Sequence, residues 1–369
     1  MQSWRPSGAE FSLAAWLPYG LGVRDMLKVI KAVREEIFGE EREFDSPHAP
    51  TVLGLKGGRA LAAWFGGRFE KDPDTAIWIS IRENGAWRKP RKLADVMNVA
   101  AWNPVLFRLY DGGIVLYYKI GAEIQKWHTE YVTSHDEGET WSAPKELVSG
   151  DVGGRGPVKN KPIYLSDNRT ILAPASLEGD SWNSFVDISM DNGDSWEMSE
   201  LVPLRRINPN ERRIRDRAYS RYFCFGRGVI QPTLWEDDMG VVNMLLRSTS
   251  SRIFRSESRD RGRTWSLAYD TGLPNNNSGI DLAKLPDGTL VLAYNPRENI
   301  PGMTIGARTP LMLSYSDDNG ESWSELCMLE DEDGAFAYPS IICSSDNELM
   351  VVYSANREKI IYWQITVGR

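Results

Sequence analysis

The sequence has few of the residues that mark a disulfide-rich or zinc-binding protein. Among its 369 residues there are three cysteines, Cys224, Cys327 and Cys343, and three histidines. Three widely spaced thiols do not make a disulfide framework, and no paired Cys-x-x-Cys ligands are available for zinc. We therefore expect no cofactor and no required metal. An odd number of thiols also fits a reducing compartment, such as the cytoplasm, slightly better than an oxidising one.

Long apolar runs are missing as well. The most apolar stretch near the beginning, FSLAAWLPYGLGV at residues 11–23, is short, contains Pro18 and follows no basic segment. It is typical of neither a membrane span nor a signal peptide. Because a signal peptide that had been removed would leave the same pattern, secretion stays open as an alternative to a cytoplasmic location.

Positive charge is in deficit. The chain has 43 Lys and Arg against 51 Asp and Glu, which gives a net charge of −8. Proteins that bind nucleic acid concentrate basic charge on one surface. The one basic cluster, at residues 205–217, is interrupted by acidic residues and is typical of a solvated loop. We expect neither a nucleic acid nor a membrane as partner, and the sequence leaves the oligomeric state open.

One short phrase recurs along the chain with the pattern S-x-D-x-G-x-[S/T]-W. Four copies end at Trp141, Trp196, Trp265 and Trp323, and a weaker copy, SIRENGAW, ends at Trp87. Consecutive Trp positions lie 54 to 69 residues apart. Repetition at that period indicates a series of similar supersecondary units. Asp and Ser hydrogen-bond the backbone of tight turns and Gly supplies positive φ, so we expect these phrases to be structural turns without catalytic chemistry.

A second phrase places an apolar strand with an early Pro, a turn and another apolar strand in each unit. Six copies occur, namely HAPTVLGLKGGRALAAWF, NPVLFRLYDGGIVLYYK, KPIYLSDNRTILAPAS, QPTLWEDDMGVVNMLLRS, SGIDLAKLPDGTLVLAYN and YPSIICSSDNELMVVYS. Their alternation and turn residues are typical of β-hairpins. Six units of about four strands predict an all-β, six-bladed β-propeller over residues 44–369.

The segment before the first hairpin has a different pattern. In residues 25–38, DMLKVIKAVREEIF, the apolar positions Leu27, Ile30, Val33 and Ile37 have helical spacing with charges between them. We predict one amphipathic helix here, as part of a short N-terminal helical extension over residues 1–43.

The hairpins and the repeated phrase together resemble the Asp-box, or bacterial neuraminidase repeat, family of the sialidase superfamily. The resemblance covers roughly residues 44–369 and implies a six-bladed propeller that acts on an acidic glycan or oligosaccharide. The Asp-box also occurs in other sugar-processing propellers and in propellers without enzymatic activity, so the function depends on the site.

The first strand of each propeller blade lines the central channel, so residues that begin these strands should converge in space. The repeat nominates His48, Asn103, Lys161, Gln231, Ser278 and Tyr338. The polarity of this set favours a functional pocket over a purely structural channel.

The resemblance implies roles for several residues. Tyr338, which opens the first strand of the last blade, has the position of the family's Tyr nucleophile. Asp74, favoured over Asp72 in the same loop, has that of the acid/base. Arg247 and Arg308 match two of the arginines that bind the substrate carboxylate, since guanidinium groups bind carboxylates in bidentate fashion.

Two positions depart from the family pattern. His48 replaces the first Arg of an Arg-Ile-Pro context, and Gln231 replaces the Glu that activates the Tyr. Because Gln cannot accept a proton, Glu178 or Glu236 could supply a base from elsewhere. Both changes weaken the expectation of ordinary sialic acid hydrolysis, while an acidic-sugar pocket remains expected.

Three functions remain open at this point. The first is a sialidase-like retaining hydrolase that uses Tyr338. The second is a lyase acting on a uronic acid, in which His48 or Tyr338 moves protons and Lys161 and the arginines neutralise the carboxylate. The third is a carbohydrate-binding propeller without turnover. In each case Asn103 and Asp281 are candidates to contact sugar hydroxyls.

Overall fold

The computed structural model describes residues 25–207, 221–345 and 347–369. The strands of these residues form six antiparallel sheets and one separate two-stranded parallel ladder. First strands contact one another between the first and second sheets, the fourth and fifth, the fifth and sixth, and the sixth and first, and the third sheet contacts the fourth through its second and third strands. The six sheets are therefore the blades of a six-bladed propeller. The predicted fold class is confirmed.

The strands follow one another in the chain blade by blade, after an initial strand β1 (Lys28–Glu36). The first blade contains β2 (Ser46–Leu55), β3 (Arg59–Gly67), β4 (Ala76–Glu83), β5 (Ala86–Trp87) and β6 (Arg91–Ala94). The second contains β7 (Ala101–Arg108), β8 (Ile114–Ile120), β9 (His128–Ser134) and β10 (Lys145–Glu146). The third contains β11 (Ile163–Tyr164), β12 (Ile171–Glu178), β13 (Trp182–Ser189) and β14 (Glu197–Met198).

The parallel ladder of β15 (Arg205–Ile207) and β16 (Phe223–Phe225) precedes the second half of the propeller. The fourth blade contains β17 (Val229–Glu236), β18 (Val242–Ser248), β19 (Arg252–Ser258) and β20 (Tyr269–Pro274). The fifth contains β21 (Asp281–Lys284), β22 (Leu290–Tyr294), β23 (Leu311–Ser316) and β24 (Ser324–Glu330). The sixth contains β25 (Phe336–Ser345), β26 (Glu348–Ala355) and β27 (Lys359–Gly368). Two single 3₁₀ turns, Lys56–Gly58 and Ile124–Lys126, complete the described elements.

The helix predicted for residues 25–38 is wrong. Lys28–Glu36 is a β-strand that pairs antiparallel with β27 and completes the sixth blade. Leu27 and Ile37 are buried at its two ends, but Ile30 is 65% exposed, so the apolar residues do not share one helical face. The free edge of β27 offers a row of unpaired backbone groups, and pairing with it outweighs the weak local helical pattern. The propeller therefore includes residues that the sequence assigned to a separate extension.

The Ser-Asp-Gly-Trp phrases are structural turns between the third and fourth strands of their blades, as predicted. In the copy at residues 134–141, the Ser134 hydroxyl accepts from the Gly138 amide at 2.9 Å and donates to Asp136 at 2.8 Å. Asp136 also accepts from the amide and hydroxyl of Thr140, and the Trp141 indole donates to the Gly138 carbonyl at 3.0 Å. These hydrogen bonds lower the pKa of Asp136 to about 2, which keeps its carboxylate ionised inside the turn.

The core consists of the apolar faces of neighbouring blades packed against each other. One cluster between the first two blades includes Phe65, Trp102 and Trp127, whose rings meet edge to face. Aromatic rings of this size bury a large apolar area and prefer this geometry. Such packing fixes the angle between blades and therefore the positions of their first strands at the channel.

Candidate functional site

Four of the six first strands share a backbone irregularity at the residue before proline. Ala49, Asn103, Gln231 and Tyr338 have φ values of 49°, 42°, 53° and 57°, and the strand register shifts at each of them. A residue before proline normally adopts an extended conformation, so the left-handed conformation is strained. A bulge of this kind redirects a side chain out of the regular alternation. In these four blades the recurring Pro thus marks the point where the first strand can present a side chain at the channel.

Arg247 connects two of these bulges. Its Nη1 donates to the Tyr338 hydroxyl oxygen and to Gln231 Oε1, both at 2.9 Å, and its Nε donates to Asn277 Oδ1 at 2.9 Å. The guanidinium also lies 5.5 Å from the centre of the Trp182 ring. Three acceptors and an aromatic face fix the guanidinium plane, so Arg247 is held rigidly beside the phenol oxygen.

Arg308 flanks the same phenol from another direction. The guanidinium carbons of Arg247 and Arg308 lie 5.7 and 5.9 Å from the centre of the Tyr338 ring. Burial has the largest effect on the pKa of Arg308 and lowers it. Tyr338 raises this pKa in part, and the positive charge of Arg247 lowers it further. Two guanidinium groups that repel each other around one partly buried phenol form a site that favours an anion.

Glu178 lies behind Gln231. Its Oε1 accepts from Gln231 Nε2 at 3.2 Å and from the Ser176 hydroxyl at 3.0 Å. Burial raises the pKa of Glu178, an effect that Arg247 and these two hydrogen bonds only partly offset. The expectation that Glu178 lies near the position of the missing Glu is therefore supported by geometry. Glu236, the other acid considered, instead accepts from the amide and hydroxyl of Ser166 at the far end of the channel.

His48 packs directly against the nucleophile candidate. Its ring centre lies 4.5 Å from that of Tyr338, and its Nδ1 shares a 2.9 Å hydrogen bond with the Ser354 hydroxyl. Among the described residues nothing hydrogen-bonds its buried Nε2. Burial, followed by the positive charges of nearby arginines, holds the pKa of His48 well below 6.5. The imidazole is therefore neutral near pH 7, with the Nε2 position free of a hydrogen-bond partner among the described residues.

Asp72 and Asp74 differ in exposure within the loop between β3 and β4. The Asp72 side chain is 3% exposed, whereas that of Asp74 is 42% exposed. Burial alone would raise the pKa of Asp72, but the hydrogen bonds from the Asp74 amide and from Arg68 outweigh it and lower the pKa. Asp72 is thus a structural ion-pair partner. Asp74, whose carboxylate accepts from the Arg68 amide, is the more accessible of the two, although the sequence favoured it as the more firmly held one.

Lys161 and Asp281 do not join the cluster around Tyr338. The Lys161 ammonium lies 2.9 Å from the fully buried Asp281 carboxylate and also donates to the Leu282 carbonyl. Asp281 in turn accepts from the Thr233 hydroxyl and from the Ile341 amide. The pair thus satisfies its own charges and joins four blades, and the expected contact of Lys161 and Asp281 with substrate stays a prediction.

The far end of the channel contains a cavity of about 760 Å³. Lys161 lines it, together with residues at the carboxyl ends of several first strands, such as Gly54, Arg108 and Lys284. Its charged groups are paired with protein partners: Arg108 with Glu137, and Lys284 with Asp238. Size alone therefore does not make this cavity the candidate site.

The remaining nominated residues occupy buried positions. Asn103 lies at the bulge of β7 and is buried. Ser278 is fully buried, and its hydroxyl has no hydrogen-bond partner among the described residues. It is the preceding Asn277, with a φ of 57°, that reaches Arg247. The fifth blade has no proline at this point. The sequence alignment therefore nominated Ser278, whereas the residue that contacts Arg247 is Asn277, one position earlier.

Sequence reasoning also missed Lys159 and Asn160, whose side chains hydrogen-bond the backbone at the bulges of Gln231 and Tyr338. The Lys159 ammonium donates to the Pro339 carbonyl, to the Ile280 carbonyl at 2.9 Å and to Asn160 Oδ1 at 2.8 Å. Asn160 Nδ2 donates to the carbonyls of Gln231 and Pro232, both at 3.0 Å. Burial lowers the pKa of Lys159 to about 7. The pair ties together the backbone that positions Gln231 and Tyr338; the phrase KNKP pointed to this strand, but the proline alignment selected Lys161.

Within the described ranges, no group of three or more His, Cys, Asp or Glu side chains could hold a metal ion. The same part of the chain has no helix with the length and apolar character needed to cross a membrane.

Comparison with known proteins places this geometry in a family. A "BNR repeat-like domain" matches residues 58–351. A sialidase of Paraclostridium sordellii is 26% identical over an alignment covering 62% of this chain and 57% of the relative, so the chain spans little more than half of that protein's length. Among solved structures, a protein of unknown function from Dyadobacter fermentans has a TM-score of 0.69 at 15% identity, covering 93% of this chain and 99% of the other. The Trypanosoma rangeli sialidase in complex with the inhibitor DANA has a TM-score of 0.68 at 13% identity, covering 90% and 59%.

Proposed function

The chain belongs to the BNR repeat-like domain family, and from its site we propose that it is a sialidase-type glycosidase that releases a terminal acidic sugar with retention of configuration. The observation that carries this proposal is the contact of 2.9 Å between Arg247 Nη1 and the Tyr338 hydroxyl oxygen, with Arg308 on the same ring. A phenol nucleophile and a pair of guanidinium groups suit a substrate whose carboxylate lies next to the reacting carbon.

Arg247 and Arg308 bind the substrate carboxylate. Both guanidinium groups lie close to the Tyr338 ring, so a carboxylate held between them brings the anomeric carbon near the phenol oxygen. Arg247 is already oriented by Gln231 and Asn277, and this preorganisation reduces the cost of fixing the sugar. A neutral nucleophile avoids the repulsion that a carboxylate nucleophile would meet from the same substrate.

Tyr338 attacks the anomeric carbon and must lose its proton in that step. Gln231 cannot accept it, and Glu178 is separated from the phenol by the Gln231 amide. His48 is neutral, packs on the Tyr338 ring and has an Nε2 without a partner among the described residues. We assign His48 the proton-accepting role, with Nδ1–H donated to Ser354 so that Nε2 keeps its lone pair.

Asp74 protonates the leaving glycosidic oxygen and then activates the water that releases the sugar from Tyr338. Its loop is joined to the last blade by the ion pair between Glu70 and Arg357, at 2.8 Å, which places the loop at the same end of the propeller as Tyr338. The same carboxyl acts as acid and then as base, as a double displacement requires.

The test is incubation of the purified protein with a panel of sialosides, following released sugar by mass spectrometry. An intact acidic sugar is expected from the wild type and none from Tyr338→Phe. Release at an unchanged rate by that variant would remove Tyr338 from the mechanism. Binding without release across the panel would contradict hydrolysis and favour a carbohydrate-binding propeller.

A second function is favoured by His48. A neutral imidazole beside a tyrosine, with two arginines to neutralise a carboxylate, also suits removal of the proton next to a uronic acid carboxylate. Elimination would then expel the 4-linked sugar. Adding uronic-acid oligosaccharides to the same panel separates the two reactions, because elimination gives a conjugated double bond that absorbs in the ultraviolet and hydrolysis does not.

A further inference from the structure

Arg357 is a charged residue at the site that neither the sequence repeats nor the proposed mechanism uses. It lies in the turn between β26 and β27, where Asn356 and Arg357 have left-handed φ values of 54° and 58°. Its Nη2 is 2.8 Å from Glu70 Oε2 in the loop between β3 and β4. Its Nη1 is buried and has no hydrogen-bond partner among the described residues. The Nη2 group of Arg357 is therefore fixed by an ion pair, whereas the Nη1 group is a buried donor without an acceptor among the described residues.

The free arm belongs to the same electrostatic cluster as the other two arginines. After burial, Arg357 is the largest influence that lowers the pKa of His48, and it also lowers the pKa of Arg308. The charges of three guanidinium groups and of the Lys159 ammonium act on His48, whereas Glu70 pairs with Arg357 and also raises the pKa of Arg308. A buried donor without an acceptor costs free energy, and its retention beside an excess of positive charge indicates a missing anionic partner.

We propose that Arg357 is an anion-binding residue whose Nη1 donates to the carboxylate of the substrate together with Arg308. This deepens the proposed function, since it assigns a third cation to the same anionic sugar. Arg357 comes from the turn of the last blade, whereas the first-blade position at the channel mouth has the neutral His48.

The ion pair with Glu70 gives Arg357 a second role, which is to fix the loop between β3 and β4. Glu70 lies in the loop that also contains Asp72 and Asp74, so the guanidinium that binds the anion also fixes the loop that supplies the acid. A substrate without its negative charge would leave Nη1 unpaired and the loop less well oriented. Arg357 is thus a positioning residue for Asp74 as well as an anion ligand.

Acetate binding tests the inference without turnover. We would titrate the ¹³C,¹⁵N-histidine-labelled protein with sodium acetate at constant ionic strength and follow the His48 ring signals, which a His48→Gln variant identifies. Wild-type protein should show a saturable shift. Arg357→Met should bind acetate at least tenfold more weakly, since a charge-assisted hydrogen bond is lost. Arg357→Lys should be intermediate, because it retains the charge without the planar fork.

Arg34→Met is the matched control. Arg34 lies in β1 of the same blade and pairs with Glu330 at 2.8 Å, away from His48. This variant should bind acetate as the wild type does. Equal affinity in wild type and Arg357→Met, or no shift in the wild type, would overturn the inference. A protein that binds acetate through Arg357 yet cleaves no sialoside would support the inference and contradict only the proposed function.

Glu70→Gln tests the coupling to the acid loop. With the ion pair weakened, the affinity for acetate should stay within about threefold of the wild type, because Nη1 remains cationic. If the panel identifies a substrate, kcat should fall about tenfold while KM changes little, since loop positioning acts in the chemical step. An equal fall in acetate affinity for Glu70→Gln and Arg357→Met would contradict separate roles for the two arms.

Discussion

The Asp-box turns at the outside of this propeller and the bulges at its channel both recur from blade to blade. The turns repeat their residues, whereas the bulges repeat only their backbone conformation. The four Asp-box turns keep the same residues in each copy, and their side chains bond within the turn or to neighbouring structure. The bulges keep the same backbone, with positive φ before a proline, but place Ala49, Asn103, Gln231 and Tyr338 in four different blades. Repetition of residues thus identifies architecture, whereas repetition of a backbone with varied residues identifies the site.

Among the mutations that test this difference between turns and bulges, the largest loss of activity is expected at Tyr338, the bulge residue of the sixth blade. Tyr338→Phe should reduce the rate of sugar release by a factor on the order of 10³ to 10⁶, as removal of a covalent nucleophile does. The melting temperature should stay close to that of the wild type, since only one hydroxyl is lost. Tyr131→Phe, in a strand of the second blade away from the channel, is the control and should retain activity. A strongly active Tyr338→Phe protein would mean that the bulge does not present the nucleophile.

The next largest effect is expected at the residue that joins two bulges. Arg247→Met should lower kcat/KM by about 10² to 10³-fold, because it removes the proposed carboxylate ligand together with the donor to Tyr338. Steady-state kinetics on the substrate that the panel identifies would measure it. Arg263→Met is a suitable control, since Arg263 is half exposed and pairs with Glu197 at the surface. A change confined to KM would show that Arg247 binds substrate without orienting the phenol.

Lys159 offers a test through the dependence of stability on pH. Its folded-state pKa of about 7 lies below the ordinary value of 10.5, so the unfolded chain binds more protons between these values. The stability of the wild type relative to Lys159→Met should therefore rise with pH from about 7 to 10.5, by at most about 1.4 kcal/mol per pH unit. Urea denaturation at several pH values would measure the difference. A difference that does not vary with pH would contradict a buried ammonium at this position.

The smallest effect on activity is expected at the Asp-box turns. Asp136→Asn should lower the melting temperature by a few degrees while leaving catalysis unchanged, because the hydrogen bonds of Asp136 serve only its turn. The depressed pKa of Asp136 also predicts that its contribution to stability is present above about pH 4 and is lost as the pH falls towards 2. Loss of activity without loss of stability would mean that the outer repeat takes part in function.

The sequence predicted most of the fold because each blade is encoded locally. The hairpins, the Asn84-Gly85 turn and the Asp-box phrases depend on residues close together in the chain. The strand at Lys28–Glu36 was missed because its partner, β27, lies more than 300 residues away in the chain. Its pairing is decided by a free sheet edge that no local pattern reveals.

The candidate site was only partly predictable, for a related reason. Tyr338, Gln231, Arg247 and Glu178 converge as the repeat alignment and the family resemblance suggested. Lys161 lies apart from this cluster, since the third blade begins without the bulge that precedes the proline in four other blades. Arg357 was invisible because it occupies a turn outside both repeated phrases, and its relation to the cluster depends on which loops meet at the end of the channel.

The central claim is that Tyr338 forms a covalent bond with an acidic sugar, and the most direct test is the configuration of the first product. We would follow cleavage of an α-linked sialoside by ¹H NMR before the free sugar equilibrates. Two successive displacements at the anomeric carbon predict that the α anomer appears first and that Tyr338→Phe gives none. Initial release of the β anomer, or of an unsaturated sugar from a uronic-acid substrate in place of sialoside cleavage, would contradict the account.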